Sequence, residues 1–162
     1  MVLEDEIARS AETFSAHTGA GIVLNIKTGE VLGLASVPEY NPNNRDTISP
    51  HQEKNTATNA IYDLGSVFKP LTVAMALDRG VIAPNEEFPV HIPFTVQKKL
   101  IRDDHPSQIP LDVAHILSES SNRGTALMAL RAGGDVQQDF FKALGLFEKL
   151  SLIHISEPTR PY

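Results

Sequence analysis

A chain of 162 residues that is 41% hydrophobic and 21% charged has the make-up of a globular domain, not of a disordered segment, and is long enough for one. Its net charge of −6, from 14 Lys and Arg against 20 Asp and Glu, argues against the basic face of a nucleic-acid binder. It has no cysteine, which removes disulfide frameworks, thiolate metal sites and thiol nucleophiles together.

In chain order, Leu3, Ile7, Ala11 and Phe14 fall at helical spacing, with Glu4-Asp5-Glu6 in the first turn, and predict a helix over 3–16. Gly19 and Gly21 break that pattern. Residues 20–26 and 30–37 are apolar, β-rich runs joined by Lys27-Thr28-Gly29, the signal of a hairpin. Both runs are apolar at successive positions, which predicts a sheet covered on both faces. Residues 38–64 have turn composition, with Pro38, Asn41-Pro42-Asn43-Asn44 and Ser49-Pro50. A connection of that length is often functional.

A helix is predicted from about Gly65 to Arg79. Pro70 is tolerated only in a first turn, so the start lies close to Ser66, and Gly80 ends the helix. Residues 81–109 hold short strand-like pieces, among them Phe94-Thr95-Val96. Pro110 and Asp112 open a helix to about Leu117. Ser118 to Asn122 is a polar break, and two helices follow, over 124–132 and 135–144, separated by Gly133-Gly134. No internal repeat is present.

Two constellations carry chemistry. In Ser66-Val67-Phe68-Lys69, helical spacing of three puts an amine on the same face as a hydroxyl. A serine hydroxyl is a poor nucleophile without a base beside it. Lysine serves as that base only if its pKa falls from about 10.4, and burial and a positive helix end both act in that direction. Alone the spacing is common, and an N-cap serine with a surface lysine fits it equally. The second constellation is Ser120-Ser121-Asn122 in the polar break. Its hydroxyl can relay a proton and its amide can hold a peptide, but serine and asparagine are also ordinary helix caps.

Together, Ser-x-x-Lys followed by Ser-x-Asn reproduce the motif order of the penicillin-recognising serine enzymes. The flanking sequence narrows the match. LNIKTGEVLGLASVPEYNPNN resembles the hairpin and loop before the nucleophile in class B penicillin-binding proteins. YDLGSVFKPLTVAMALDRGVI resembles their nucleophile helix. DDHPSQIPLDVAHILSESSNRGTALMAL resembles the approach to their second motif, and FFKALGLFEKL the helix after it. The likeness covers nearly all of residues 15–150 and is greatest to the cell-division transpeptidases of that class.

The resemblance implies an α/β (α+β) fold, the penicillin-binding serine transpeptidase fold, with an antiparallel sheet against helices beside a mostly helical lobe. Only the first sheet hairpin and part of the helical lobe are expected here. It implies Ser66 as the acylated nucleophile, Lys69 as its general base, Ser120 as the proton relay and Asn122 as a hydrogen-bond partner of the substrate backbone. The backbone N–H of Ser66 would supply one oxyanion donor. The implied reaction is D,D-transpeptidation of peptidoglycan stem peptides through an acyl-serine, with β-lactams as inhibitors and no cofactor or metal. Division-complex membrane proteins are the implied partners of the full-length protein. A β-lactam-sensing module, a β-lactamase or a D,D-carboxypeptidase on the same fold are the alternatives.

The family's third motif, Lys-Thr-Gly on a late strand, has no counterpart in the expected place. Lys27-Thr28-Gly29 precedes the nucleophile and reads as a hairpin turn. Asp103-Asp104-His105 lacks further ligands at metal spacing and reads as a solvated loop near the cleft. Gly19-Ala20-Gly21 lacks the third glycine of a dinucleotide fingerprint. No apolar run reaches the roughly 18 residues of a membrane helix, and Met1 leads into acidic residues, not a secretory signal. A periplasmic location would therefore rest on an N-terminal anchor outside the given sequence. The last stretch, SLIHISEPTRPY, resembles a translated sequencing adapter. Residues 1–150 are accordingly read as a partial transpeptidase domain, and 151–162 as a non-native tail.

Overall fold

A computed structural model describes residues 2–41, 43, 44, 46, 48, 49, 52 and 55–148. The tail boundary at Leu150 lies outside these residues. The chain divides into two compact units, one holding the described residues up to Tyr62 and the other beginning at Asp63.

In the first unit, helix α1 (Val2–Thr13) precedes an antiparallel hairpin of β1 (Gly19–Leu24) and β2 (Val31–Val37). The helix stops short of the predicted residue 16, because Ser15 takes a left-handed φ of 52° and turns the chain. Gly19 and Gly21 do more than end a helix. A Cβ at Gly21 would lie 2.7 Å from Ile7 Cδ1 and 3.1 Å from Leu3 Cδ1, so glycine there lets α1 lie directly on the sheet. Gly33 of β2 faces Leu3 in the same way, at 3.6 Å. The opposite face corrects the sequence reading. Alternation places Ile22 and Leu32 away from α1, and they remain 46% and 63% exposed. Both strands are apolar on two faces, but α1 covers only one of them. Lys27, Thr28 and Gly29 form the β1–β2 turn, where Gly29 has φ 74° and its N–H meets the Asn25 carbonyl at 2.7 Å. A short helix α2 (Thr56–Asn59), capped by Asn55, joins the hairpin through a 2.8 Å bond between the Thr56 and Ser36 hydroxyls.

The second unit begins with a 3-10 turn, Gly65–Phe68, that runs directly into α3 (Lys69–Asp78). Pro70 sits in the first turn of α3 as expected, and Gly80 follows its end with φ 64°. Two small ribbons come next: β3 (Glu87–Phe88) pairs with β6 (Leu111–Asp112), and β4 (Thr95–Val96) with β5 (Lys99–Leu100). Where Pro110 and Asp112 predict a helix start, Leu111–Asp112 form a strand and the helix begins only at Val113. Asp112 then caps α4 (Val113–Ser118), its carboxylate accepting the His115 N–H at 2.8 Å. The expected pair of late helices is α5 (Asn122–Ala143), broken at Gly133, whose φ 79° and ψ 167° are not helical.

The core of this unit gathers Val73, Met75 and Ala76 of α3, Ile116 of α4 and Met128 of α5 around Phe88 and Val90. Gly124 of α5 lies against Ile116 so closely that a Cβ there would come within 2.6 Å of Ile116 Cγ1. That contact draws the start of α5 onto α4 and sets the turn between them.

Candidate active site

Two turns present the sequence-predicted residues. The first is the 3-10 turn. Gly65 enters it at φ 51°, with its N–H held by Asp63 Oδ1 at 3.0 Å, and Ser66 stands exposed within it. Lys69, the first residue of α3, lies half-buried one turn on. The second is the tight turn between α4 and α5. Here Ser120 is held at φ 56°, a left-handed backbone uncommon for a residue with a Cβ. The bonds from Ser120 N to Leu117 O, 3.2 Å, and from Ser121 N to Ile116 O, 2.9 Å, fix that turn.

The turns meet at a short chain of polar atoms. Lys69 Nζ donates to Ser120 Oγ at 2.9 Å and also to the Ser120 backbone carbonyl. Ser120 Oγ donates in turn to Ser66 Oγ at 3.0 Å. The lysine therefore reaches the Ser66 hydroxyl through the second serine. Burial pushes the Lys69 amine below the ordinary lysine range, while the carboxylates of Asp103 and Asp104 pull it back up. A hydroxyl donates and accepts alike. When Lys69 is neutral, the same chain of bonds runs in reverse, from Ser66 to Ser120 to Lys69.

Asn122 opens α5, and its Nδ2 donates to the Arg102 carbonyl at 2.7 Å. The helix capping that the sequence left open for Ser120-Ser121-Asn122 falls to neither Ser120 nor Asn122. The cap is the residue between them: Ser121, 3% exposed, accepts from the Gly124 N–H at 3.0 Å. Its hydroxyl donates to Asp103 Oδ2 at 2.9 Å, and the other Asp103 oxygen accepts the Arg123 N–H at 2.9 Å. Asp103 is thus a clasp on the second turn and not merely part of a solvated loop. The Arg123 side chain tightens the same seam, donating to the carbonyls of Ile101 at 3.2 Å and Val90 at 2.9 Å. Periodicity carries no signal for these two roles, because the partners are 18 to 33 positions apart. Among the described residues, no three His, Asp or Glu side chains gather as a metal site.

A serine in an exposed turn, joined by a second serine to a lysine of lowered pKa, is the equipment of the Ser-x-x-Lys class of active-serine proteins. Comparison with known proteins carries this one step further. The penicillin binding protein transpeptidase domain matches residues 19–157, and the chain belongs to that family. It is 37% identical over 159 residues to a probable peptidoglycan D,D-transpeptidase FtsI of Caulobacter vibrioides, covering 98% of this chain and 27% of that protein. It is 35% identical to a probable peptidoglycan D,D-transpeptidase PenA of Neisseria gonorrhoeae, over 88% of this chain and 24% of the other. To the peptidoglycan D,D-transpeptidase FtsI of Escherichia coli K12 it is 30% identical, over 91% of this chain and 25% of the other. A crystal structure of a peptidoglycan glycosyltransferase from Burkholderia ambifaria superposes with a TM-score of 0.73 at 27% identity, covering 87% of this chain and 40% of that one. The chain spans about a quarter of the length of these curated relatives.

Proposed function

We propose that this chain supplies the nucleophile and proton relay of a peptidoglycan D,D-transpeptidase that acts in cell-wall synthesis at division. The observation that carries the reading is the continuous Ser66–Ser120–Lys69 hydrogen-bond chain, in a member of the penicillin-binding transpeptidase family.

With Lys69 neutral, the Ser66 hydroxyl proton passes to Ser120 Oγ as the Ser120 proton passes to Lys69 Nζ. Ser66 Oγ forms a bond to the carbonyl carbon of the penultimate D-Ala of a stem peptide. The carbonyl electron pair moves onto oxygen, and the Ser66 N–H is one donor to it. Collapse of this intermediate breaks the C–N bond. The proton returns from Lys69 through Ser120 to the departing amine of the terminal D-Ala. An amine of a neighbouring stem then attacks the acyl-Ser66 carbonyl, loses its proton along the same relay and releases Ser66 with a new peptide crosslink. Asn122 holds the substrate backbone beside this path. A β-lactam enters the first step and stays on the serine because its leaving amine remains tethered.

The substrate is thus the peptidoglycan stem peptide. The location is the periplasmic side of a bacterial inner membrane, with division-complex membrane proteins as partners. Among the described residues no helix is long and apolar enough to cross a membrane, so an anchor would come from elsewhere in the protein. The test is turnover of a donor stem peptide ending in D-Ala-D-Ala, with an acceptor amine, by a full-length protein carrying this segment. The reading requires release of D-Ala together with crosslinked product. Acylation by β-lactams without stem-peptide turnover would show a sensing module instead, and rapid β-lactam hydrolysis would show a β-lactamase.

A further inference from the structure

Within the nucleophile turn, Gly65 and Ser66 are exposed and Val67 is 78% exposed; Phe68 is the one side chain of the four that turns inward. Phe68 is also the N-cap residue of α3, and no side-chain hydrogen bond closes that junction. What meets it is a ring. Phe141 of α5 lies 4.9 Å from Phe68 between centroids, inclined at 59°, within the favourable range for aromatic pairs.

Phe141 is 7% exposed, yet it stands apart from the main core cluster of this unit. Its other aromatic neighbour is Phe140, at 5.9 Å and 73°, and the guanidinium of Arg79 lies 5.9 Å over the Phe140 ring. Arg79 is the C-cap of α3. Adjacent residues of α5 therefore grip α3 at its two ends, Phe141 at the start through Phe68 and Phe140 at the close through Arg79. Both belong to the part of α5 beyond the break at Gly133. The first part of α5 opens with Asn122, directly after the turn that holds Ser120.

We propose that Phe141 is a positioning residue for acylation, fixing the Ser66–Lys69 turn through the Phe68 ring. This rests on the transpeptidase reading above. Phe68 lies between the two reacting residues in sequence, so a shift of its ring moves both of them against Ser120. A displacement of the order of 1 Å at a reacting group costs about 100-fold in rate. Because Phe68 and Phe141 lie outside the main core, their loss loosens the turn before it empties the fold.

The experiment measures the acylation rate constant with a fluorescent penicillin, separately from the Kd of the preceding complex, in a full-length protein carrying this segment. The variants are Phe68→Leu, Phe141→Leu, the double variant, and Phe88→Leu as a core control. Each of the first two should lower the acylation rate constant roughly 10- to 100-fold with Kd unchanged. The double variant should be no slower than the slower single one, since the residues act in series. Phe88→Leu, which removes a ring from the core proper, should lower Tm and leave the rate constant in place. Wild-type acylation in Phe141→Leu, multiplying effects in the double variant, or equal slowing by Phe88→Leu would each overturn the proposal. If Phe141→Leu does not fold, the half-buried Phe68→Leu carries the same comparison. If the wild-type protein takes no label, the transpeptidase reading fails instead. A crystal structure of the Phe68→Leu or Phe141→Leu protein then decides the positioning role. The 3.0 Å Ser66–Ser120 contact should open beyond hydrogen-bonding reach, and its survival would refute the proposal.

Discussion

Ser120 joins two requirements in one residue. Its hydroxyl links Lys69 to Ser66, and its backbone sits at φ 56°, where a side chain is strained. Glycine tolerates that backbone and carries no hydroxyl. Ser120→Gly should therefore raise stability, by about 1 kcal/mol, while severing the proposed relay. Thermal melting and penicillin labelling check the two halves, and a variant that keeps wild-type labelling would remove Ser120 from the proton path. Lys69 gives a pH prediction. Burial lowers its pKa and Asp104 raises it, so the lysine loses its proton, and the proposed relay becomes competent, as pH rises through a value below the ordinary lysine range. Removing the Asp104 charge takes away a stabiliser of the ammonium form. Asp104→Asn should move the rising limb of the acylation rate to lower pH, and added salt should shrink the difference between the two proteins. A limb that moves upward would contradict the placement of that charge. The same shift bears on stability. The unfolded chain holds its lysine proton to higher pH than the folded one, so stability gains from Lys69 as pH rises between the two pKa values.

At the scale of elements, the two helix–turn junctions decide the site, and they were unequally legible. The spacing of Ser66 and Lys69, Pro70 in a first turn and Gly80 at the end all signal α3 through local rules. The start of α5 was legible as a polar break, but which of Ser120, Ser121 and Asn122 caps the helix depends on partners brought in from residues 101–103. Residues 81–109 read as short strand-like pieces, but the pairing of β3 with β6 was not legible, because two-residue pairings leave no periodicity to read. Gly124 is a further feature that sequence alone does not explain. It permits the contact of α5 with Ile116 at a distance no Cβ allows. Gly124→Ala should cost about 1–3 kcal/mol through overpacking. It should also slow acylation, because Ile116 receives the Ser121 N–H that fixes the Ser120 turn. A Gly124→Ala protein with unchanged Tm would show that Ile116 moves aside freely.

Across the whole molecule, the fold class and the order of the motifs were legible because the family's pattern of hairpin, nucleophile turn and second motif is written in contiguous stretches. The covering of the sheet was not, since two apolar faces in sequence do not say which of them has a neighbour. In the structure α1 takes one face, and Ile22 and Leu32 stay exposed on the other. Lys27-Thr28-Gly29 lies in the β1–β2 turn of that same hairpin, as its position before Ser66 suggested. The central claim is that Ser66 is the residue acylated by β-lactams and stem peptides. The most direct measurement is to incubate a full-length protein carrying this segment with a fluorescent penicillin, digest it and map the adduct by mass. The adduct should lie on the peptide containing Ser66, and labelling should vanish in Ser66→Ala and in Lys69→Ala while both proteins stay folded. An adduct on Ser120, or undiminished labelling of Ser66→Ala, would contradict it.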